Sequence, residues 1–153
     1  MRGANIFGII WVSLMASLGV WLAVMLQDNQ LPYDYDVSKS YISPDPAKPN
    51  SLITVHWSIK VNRLCPGYTM RSFSDPSTGK IITTYDATPT ALNISAGDTV
   101  LVRTFMLRGD MPEKVIYHSK SCFRCNPLQQ LSPICGPELK LPFEVSQDPK
   151  HND

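Results

Sequence analysis

The sequence has little net charge. It carries 14 Lys and Arg residues against 13 Asp and Glu residues, which gives a formal charge of +1 at pH 7. The two signs are interspersed along the chain, so no basic stripe marks a surface for nucleic acid or for an anionic membrane. We therefore expect no nucleic-acid partner.

Recognisable catalytic motifs are also missing. The sequence contains no Gly-x-Ser-x-Gly elbow, no His-Glu-x-x-His zinc motif and no glycine-rich phosphate loop. Its histidines are His56, on the polar face of a predicted strand, His118, and His151 in a polar tail. Asp98 follows Ala96-Gly97 and is typical of a turn. We therefore expect no enzymatic activity and no cofactor.

Internal repeats and low-complexity tracts are absent, and long helices are disfavoured over most of the chain. Thirteen prolines and eight glycines are scattered through it, which indicates many turns. Beyond the N-terminal segment about 125 residues remain, enough for one domain with a single core.

One long apolar run is present, from Ile6 to Leu26, and it includes Trp11 and Trp21. At about 1.5 Å per helical residue it reaches roughly 31 Å, close to the hydrocarbon thickness of a bilayer. Its end is bulky where a cleaved signal peptide needs small residues. The run therefore predicts an uncleaved transmembrane signal anchor, with a cleaved signal or a buried core helix as alternatives.

The flanking charges predict the orientation of this anchor. Arg2 and the terminal amine precede it, and Asp28, Asp34 and Asp36 follow it. Because positive charge is retained in the cytoplasm, residues 1–5 are expected inside and the rest of the chain outside. One helix face carries small residues that would allow close packing and a helix-mediated oligomer, namely Ala16, Gly19 and Ala23.

The remainder divides into a proline-rich stalk over 27–50, a domain over 51–146 and a polar tail over 147–153. Four prolines in the stalk forbid a continuous helix and favour extended chain.

The domain shows the period-two pattern of β-strands. The best strand places Trp57 on its apolar face, as the predicted core anchor, together with Ile53, Val55, Ile59 and Val61. Thr99 to Leu107 is apolar on both faces and is predicted to be a central strand, whereas Pro142 predicts an edge or a bulge for the last strand. The other strands are predicted at Tyr68 to Ser74, Lys80 to Tyr85, Ala91 to Ile94, Lys114 to Ser119 and Glu138 to Val145.

Short strands with frequent turns predict a mainly β fold, an antiparallel immunoglobulin-like sandwich or, alternatively, a small barrel. Antiparallel pairing is expected because the connections are too short for crossover helices.

Four cysteines are predicted to form two disulfides, because the topology places them on the oxidising side of the membrane. Of the three connectivities, we favour Cys65–Cys125 with Cys122–Cys135. Two other readings stay open. Cys122 and Cys125 have the CxxC spacing of a thiol-redox centre, and Cys122, Cys125, Cys135 and His118 together could ligate zinc.

Two segments resemble uncharacterised membrane-anchored proteins of tailed bacteriophages: Asn62-Arg63-Leu64-Cys65-Pro66-Gly67, and Cys125-Asn126-Pro127-Leu128 with Ser132-Pro133-Ile134. The resemblance implies a bacterial inner membrane with the domain in the periplasm. It also supports Cys65 and Cys125 as a pair.

The sequence therefore predicts a membrane-anchored extracytoplasmic interaction module, in one version a phage protein acting on the cell envelope. Its expected partners are the lipid bilayer, through residues 6–26, and another membrane or envelope protein. The alternatives are the thiol-redox or zinc protein and a structural subunit of an envelope or virion assembly.

Overall fold

A computed structural model describes residues 3–90 and 96–147, with side chains from residue 7 onward. The predicted strand at Ala91 to Ile94, the charge at Arg2 and most of the predicted tail lie outside the described residues. The elements in chain order are α1 (Gly3–Gln27), β1 (Tyr33–Ser43), β2 (Leu52–Val61), β3 (Gly67–Ser74), β4 (Ile81–Pro89), β5 (Gly97–Met106), β6 (Lys114–Phe123), the 3-10 helix η1 (Pro127–Gln130), β7 (Ile134–Cys135) and β8 (Leu139–Glu144).

Helix α1 is apolar on every described face, and it makes few contacts with the domain. The stretch Phe7–Gln27 is long and apolar enough to cross a membrane, and none of it is buried in the protein. Trp11 and Trp21 are 54% and 44% exposed. Such a surface is unfavourable in water, so the helix is a candidate membrane anchor or an N-terminal signal.

The strands form two open antiparallel sheets. One has the order β1-β2-β5; the other has the order β4-β3-β6, and β6 also pairs with β7 and β8. The described strands close no barrel, so the predicted antiparallel sandwich is confirmed and the barrel alternative is wrong. Pro142 lies in β8, which pairs with β6 alone among the described strands and so forms a sheet edge.

The predicted stalk differs from the structure. Strand β1 lies within residues 27–50 and pairs with β2 from Tyr33↔Val61 to Ser43↔Thr54. The prolines that forbid a helix there stand outside the strand, and Tyr33 is 2% exposed in the core. Most of this segment therefore belongs to the sandwich, because extended chain that flanks a sheet edge can pair with it.

Strand β5 also departs from its prediction. It pairs with β2 alone among the described strands, so it is an edge and not a central strand. Val100 and Val102 lie on its outer face at 55% and 50% exposure. Their apolar character therefore reflects an exposed sheet face and not a neighbouring strand.

The core fills the space between the sheets. Trp57, the predicted core anchor, is 3% exposed and packs against Tyr117 at 5.9 Å between ring centroids. Phe73 lies at the centre of an aromatic cluster. Its ring centroid is within 6.0 Å of those of Tyr85, Phe105, Tyr117 and Phe143.

Candidate functional site

The cysteines form two disulfides, Cys65–Cys125 and Cys122–Cys135, the connectivity that the sequence favours. No cysteine in the described chain is free. Cys122 and Cys125 therefore do not pair with each other, and their sulfurs are not thiolates that can hold a metal. The thiol-redox and zinc alternatives are both wrong, and no group of three His, Cys, Asp or Glu among the described residues is placed to bind a metal.

His118, the remaining candidate zinc ligand, lies on the outer face of the second sheet. Its Nε2 is 2.7 Å from Ser74 Oγ and its Nδ1 is 3.1 Å from Glu138 Oε1. This order of serine, histidine and carboxylate also occurs in serine hydrolases. Here Ser74 is only 7% exposed. The contacts of His118 with Ser74 and Glu138 connect β6 to β3 and to the segment before β8.

Two loops of the domain hold the C-terminal end of α1. Arg63, after β2, makes a bidentate ion pair with Asp28, with Nη2–Oδ1 at 2.8 Å and Nη1–Oδ2 at 2.9 Å. The hydrogen bond from Arg63 lowers the pKa of the Asp28 carboxyl. Arg63 also donates to the Gln30 carbonyl oxygen. The chain that leaves the helix is therefore fixed on one side.

Residues at η1 hold the helix end from the other side. Asn126 Nδ2 donates to the Met25 carbonyl oxygen at 3.1 Å, and Gln129 Nε2 donates to the Asp28 carbonyl oxygen at 2.8 Å. Carbonyl groups in the last turn of a helix have no partner within the helix. Asn126 and Gln129 are 8% and 5% exposed, so their side-chain amides are buried where the end of α1 meets the domain.

A cavity of about 80 Å³ lies between the two sheets. Its walls include Tyr35 and Trp57 of the first sheet, Arg71 and Ser119 of the second, and Arg103 of the β5 edge. One water needs about 10–15 Å³ on this measure. The cavity therefore has room for several waters or for a ligand of a few heavy atoms.

Arg71 is the most unusual side chain in this cavity. It is 8% exposed, and its guanidinium lies 5.5 Å from the centre of the Trp57 ring. Its Nη1 donates to Thr88 Oγ1 and, at 3.5 Å, to the Thr69 carbonyl oxygen. Burial, together with the positive charge of Arg103, lowers the pKa of Arg71. Among the described residues, no Asp or Glu lines the cavity.

Several buried polar atoms around this cavity have no hydrogen-bond partner within the described chain. They are Trp57 Nε1, Arg71 Nε and Thr90 Oγ1, all on lining residues, and the Tyr117 hydroxyl. The Tyr117 hydroxyl lies close to Arg71 and Ser119 but makes no hydrogen bond of normal geometry, and burial raises its pKa. Buried polar groups in native proteins are nearly always paired, so this cluster requires an explanation.

Other polar side chains of the wall are paired with one another. Ser121 Oγ is 2.7 Å from the Tyr35 hydroxyl and 2.9 Å from Thr69 Oγ1. These contacts join β1, β3 and β6 across the two sheets. They form a polar frame beside the buried donors of Trp57 and Arg71, which have no partner within the described chain.

The sequence contains a signal for this site that motif searching misses. Arg71 alternates with Thr69 and Phe73 on the inward face of β3, and Arg103 alternates with Leu101 and Phe105 on the inward face of β5. A charged residue in an inward register is costly without a partner. The buried Arg71 therefore indicates a functional interior, and Arg103 lies at its exposed rim.

Comparisons with known proteins give a structural likeness but no sequence relative. No family model matches the sequence, and no curated protein is similar to it in sequence. Among solved structures, the chain is similar to the alkylpurine DNA glycosylase AlkC of Pseudomonas fluorescens, bound to DNA that contains an abasic-site analogue. The TM-score is 0.45 and the identity 14%, and the match covers 82% of this chain and 33% of that chain.

This likeness corrects the predicted function and partners. The similar structure is an enzyme in complex with DNA, at odds with an envelope interaction module that excludes nucleic acid. The predictions of an envelope-protein partner and of no nucleic-acid partner are therefore corrected and set aside. The oligomer predicted through α1 stays a prediction. At a TM-score of 0.45 over a third of the glycosylase, no DNA-repair activity is transferred to this chain either.

Proposed function

We propose that the sandwich binds a small polar molecule in the cavity between its sheets, without a chemical step. The observation that supports this most strongly is the group of buried donors and acceptors that converge there without partners. An unsatisfied buried polar group costs about 1–3 kcal/mol. A bound molecule that hydrogen-bonds to Trp57 Nε1 and Arg71 Nε would remove much of this cost, as ligands do in sites with few convergent polar groups.

The indole N–H of Trp57 provides a direct test. The chain has three tryptophans, and Trp11 and Trp21 lie in α1, so they serve as internal controls. In the full chain labelled with 15N-tryptophan in detergent micelles, we expect at least one of acetate, phosphate, acetamide and glycerol to shift the Trp57 indole resonance saturably. The resonance is assigned with Trp57→Phe.

Two variants of one strand control this experiment. Thr69→Leu fills the cavity from β3, and Met70→Leu changes the next residue on the opposite, exposed face. The shift should be lost in Thr69→Leu and kept in Met70→Leu. Ligand binding in the cavity is refuted if none of the four probes moves the Trp57 resonance, or if Thr69→Leu responds as the wild type does.

We also infer that α1 is retained as a single-pass anchor, with its amino terminus in the cytoplasm and the domain outside. The hydrogen bonds from Asn126 and Gln129 to Met25 and Asp28 support retention, because cleavage near the helix end would leave buried amides unpaired. The disulfides support an oxidising compartment. The resemblance to membrane-anchored phage proteins favours the bacterial periplasm.

Retention and orientation have a separate test. We expect the chain extracted from bacterial membranes to keep its full mass of 17.1 kDa, and protease added to intact spheroplasts to remove the domain. A shortened mass in the membrane or soluble fraction would show that α1 is a cleaved signal. Protection of the domain in spheroplasts, with digestion after lysis, would show that the domain lies in the cytoplasm and that the proposed orientation is wrong.

The strand order supports an immunoglobulin-like arrangement. In that fold strands A, B and E face strands C, F and G. Here β1, β2 and β5 face β3, β6 and β8, and β4 extends the second sheet beside β3. The proposed site therefore lies in the interior of the sandwich and not on the loops at its ends.

A further inference from the structure

The charge inside the cavity restricts its ligand. Arg71 keeps its positive charge, since a guanidinium is not deprotonated in proteins, and its described contacts are all neutral. Arg103 adds a second positive charge close enough to affect Arg71. A buried cation without a counter-charge is strongly unfavourable. The cavity therefore favours an anion over a neutral molecule of equal size.

The contacts of Arg71 also define how such an anion would approach. The guanidinium lies over the Trp57 ring, a cation–π arrangement. Nη1 is already used by Thr88 and Thr69, whereas Nε has no partner. Oxygen acids bind arginine in the guanidinium plane, through two parallel N–H donors. The unpartnered edge of Arg71 is thus the one that carries Nε, with Trp57 Nε1 as a further unpartnered donor, and both atoms are buried in the wall of the cavity.

We propose that the ligand is a small oxyanion, a carboxylate or a phosphate, held by Arg71 in the cavity and attracted by Arg103 at its exposed rim. This inference rests on the proposed ligand binding and names its chemistry. The cavity of about 80 Å³ limits the enclosed part to a few heavy atoms, such as a carboxylate or phosphate group with little attached to it. The charge comes from two arginines on different sheets, so the site exists only in the folded domain.

Titration of the Trp57 indole resonance tests the ligand class in the full chain. Acetate and phosphate are compared with acetamide, a neutral isostere of acetate, and with sodium chloride at equal ionic strength. We expect a saturable shift with acetate, with phosphate or with both, and none with acetamide or chloride. Acetate alone would identify a carboxylate site, and phosphate alone a phosphate site.

Variants assign the binding to the two arginines. Arg71→Lys keeps the charge but loses the planar fork, and we expect affinity to fall at least about tenfold. Arg103→Gln, at an exposed position, should weaken binding a few-fold and reduce its salt dependence. Arg108→Gln removes an exposed arginine paired with Asp110 and should bind as the wild type does.

Arg71→Met provides a second measurement that does not depend on binding. Removal of a buried, uncompensated charge should leave the thermal stability of the ligand-free chain unchanged or increased, while the response to anions disappears.

The outcomes separate the two proposals. If acetamide or glycerol binds as well as the anions do, the oxyanion inference fails and the ligand-binding function stands. If no probe binds, both fail. Anion shifts that persist in both Arg71→Met and Arg103→Gln would place the anion elsewhere and overturn the inference.

Discussion

We expect Phe73→Ala to lower the free energy of unfolding by about 3–5 kcal/mol, the usual cost of removing a fully buried aromatic ring. Phe73 is 0% exposed. It touches rings from β4, β5, β6 and β8, so its removal opens a void bordered by both sheets. Rings in such clusters also interact beyond the area that they bury. Denaturant unfolding of the domain, followed by tryptophan fluorescence, measures the loss.

Another residue on the same strand provides a control. Met70 is 39% exposed on the outer face of β3, and Met70→Ala should change the stability by about 0.5 kcal/mol or less. Similar losses for Met70→Ala and Phe73→Ala would show that the aromatic cluster is not the centre of the core.

The second large effect is expected from the disulfide that closes the longer loop. Cys65 and Cys125 are 60 residues apart, against 13 for Cys122 and Cys135. On the chain-entropy model the first bond contributes about 4 kcal/mol and the second about 3 kcal/mol. We expect Cys65→Ala with Cys125→Ala to be the more destabilising pair. Denaturant unfolding of both double variants, with the remaining bond verified by mass, makes the comparison.

The first disulfide also has a local role that the second does not share. It joins the loop of Arg63 to the loop of Asn126, and both side chains hold the end of α1. Its removal should therefore expose the Asp28 region to hydrogen exchange, whereas removal of Cys122–Cys135 should leave that region protected. Equal protection in both variants would show that the disulfide does not hold the junction.

Local patterns predicted much of the fold. Every apolar position of the best predicted strand, from Ile53 to Val61, is buried in β2. Strict alternation of this kind depends on nearest neighbours in sequence and on one buried face. The apolar helix is likewise predicted from length and composition alone.

The errors have a common physical cause. The segment that contains β1 and the apolar stretch of β5 were misassigned because the sequence does not state which strand lies beside which. Strand pairing is a long-range property: β2 pairs with β5 across more than thirty residues of intervening chain. An exposed apolar sheet face and a central strand have the same local pattern.

The sequence by itself determined the apolar helix, the mainly β content and the oxidisable cysteines, because these follow from composition and short periodicities. Only the tertiary structure decided that Arg71 and Arg103 share one cavity and that Arg63 and Asn126 hold the end of α1. These contacts join residues that are distant in the chain, and their partners are chosen by how the two sheets pack. The candidate site is therefore a property of the assembled sandwich, since neither sheet alone encloses the cavity.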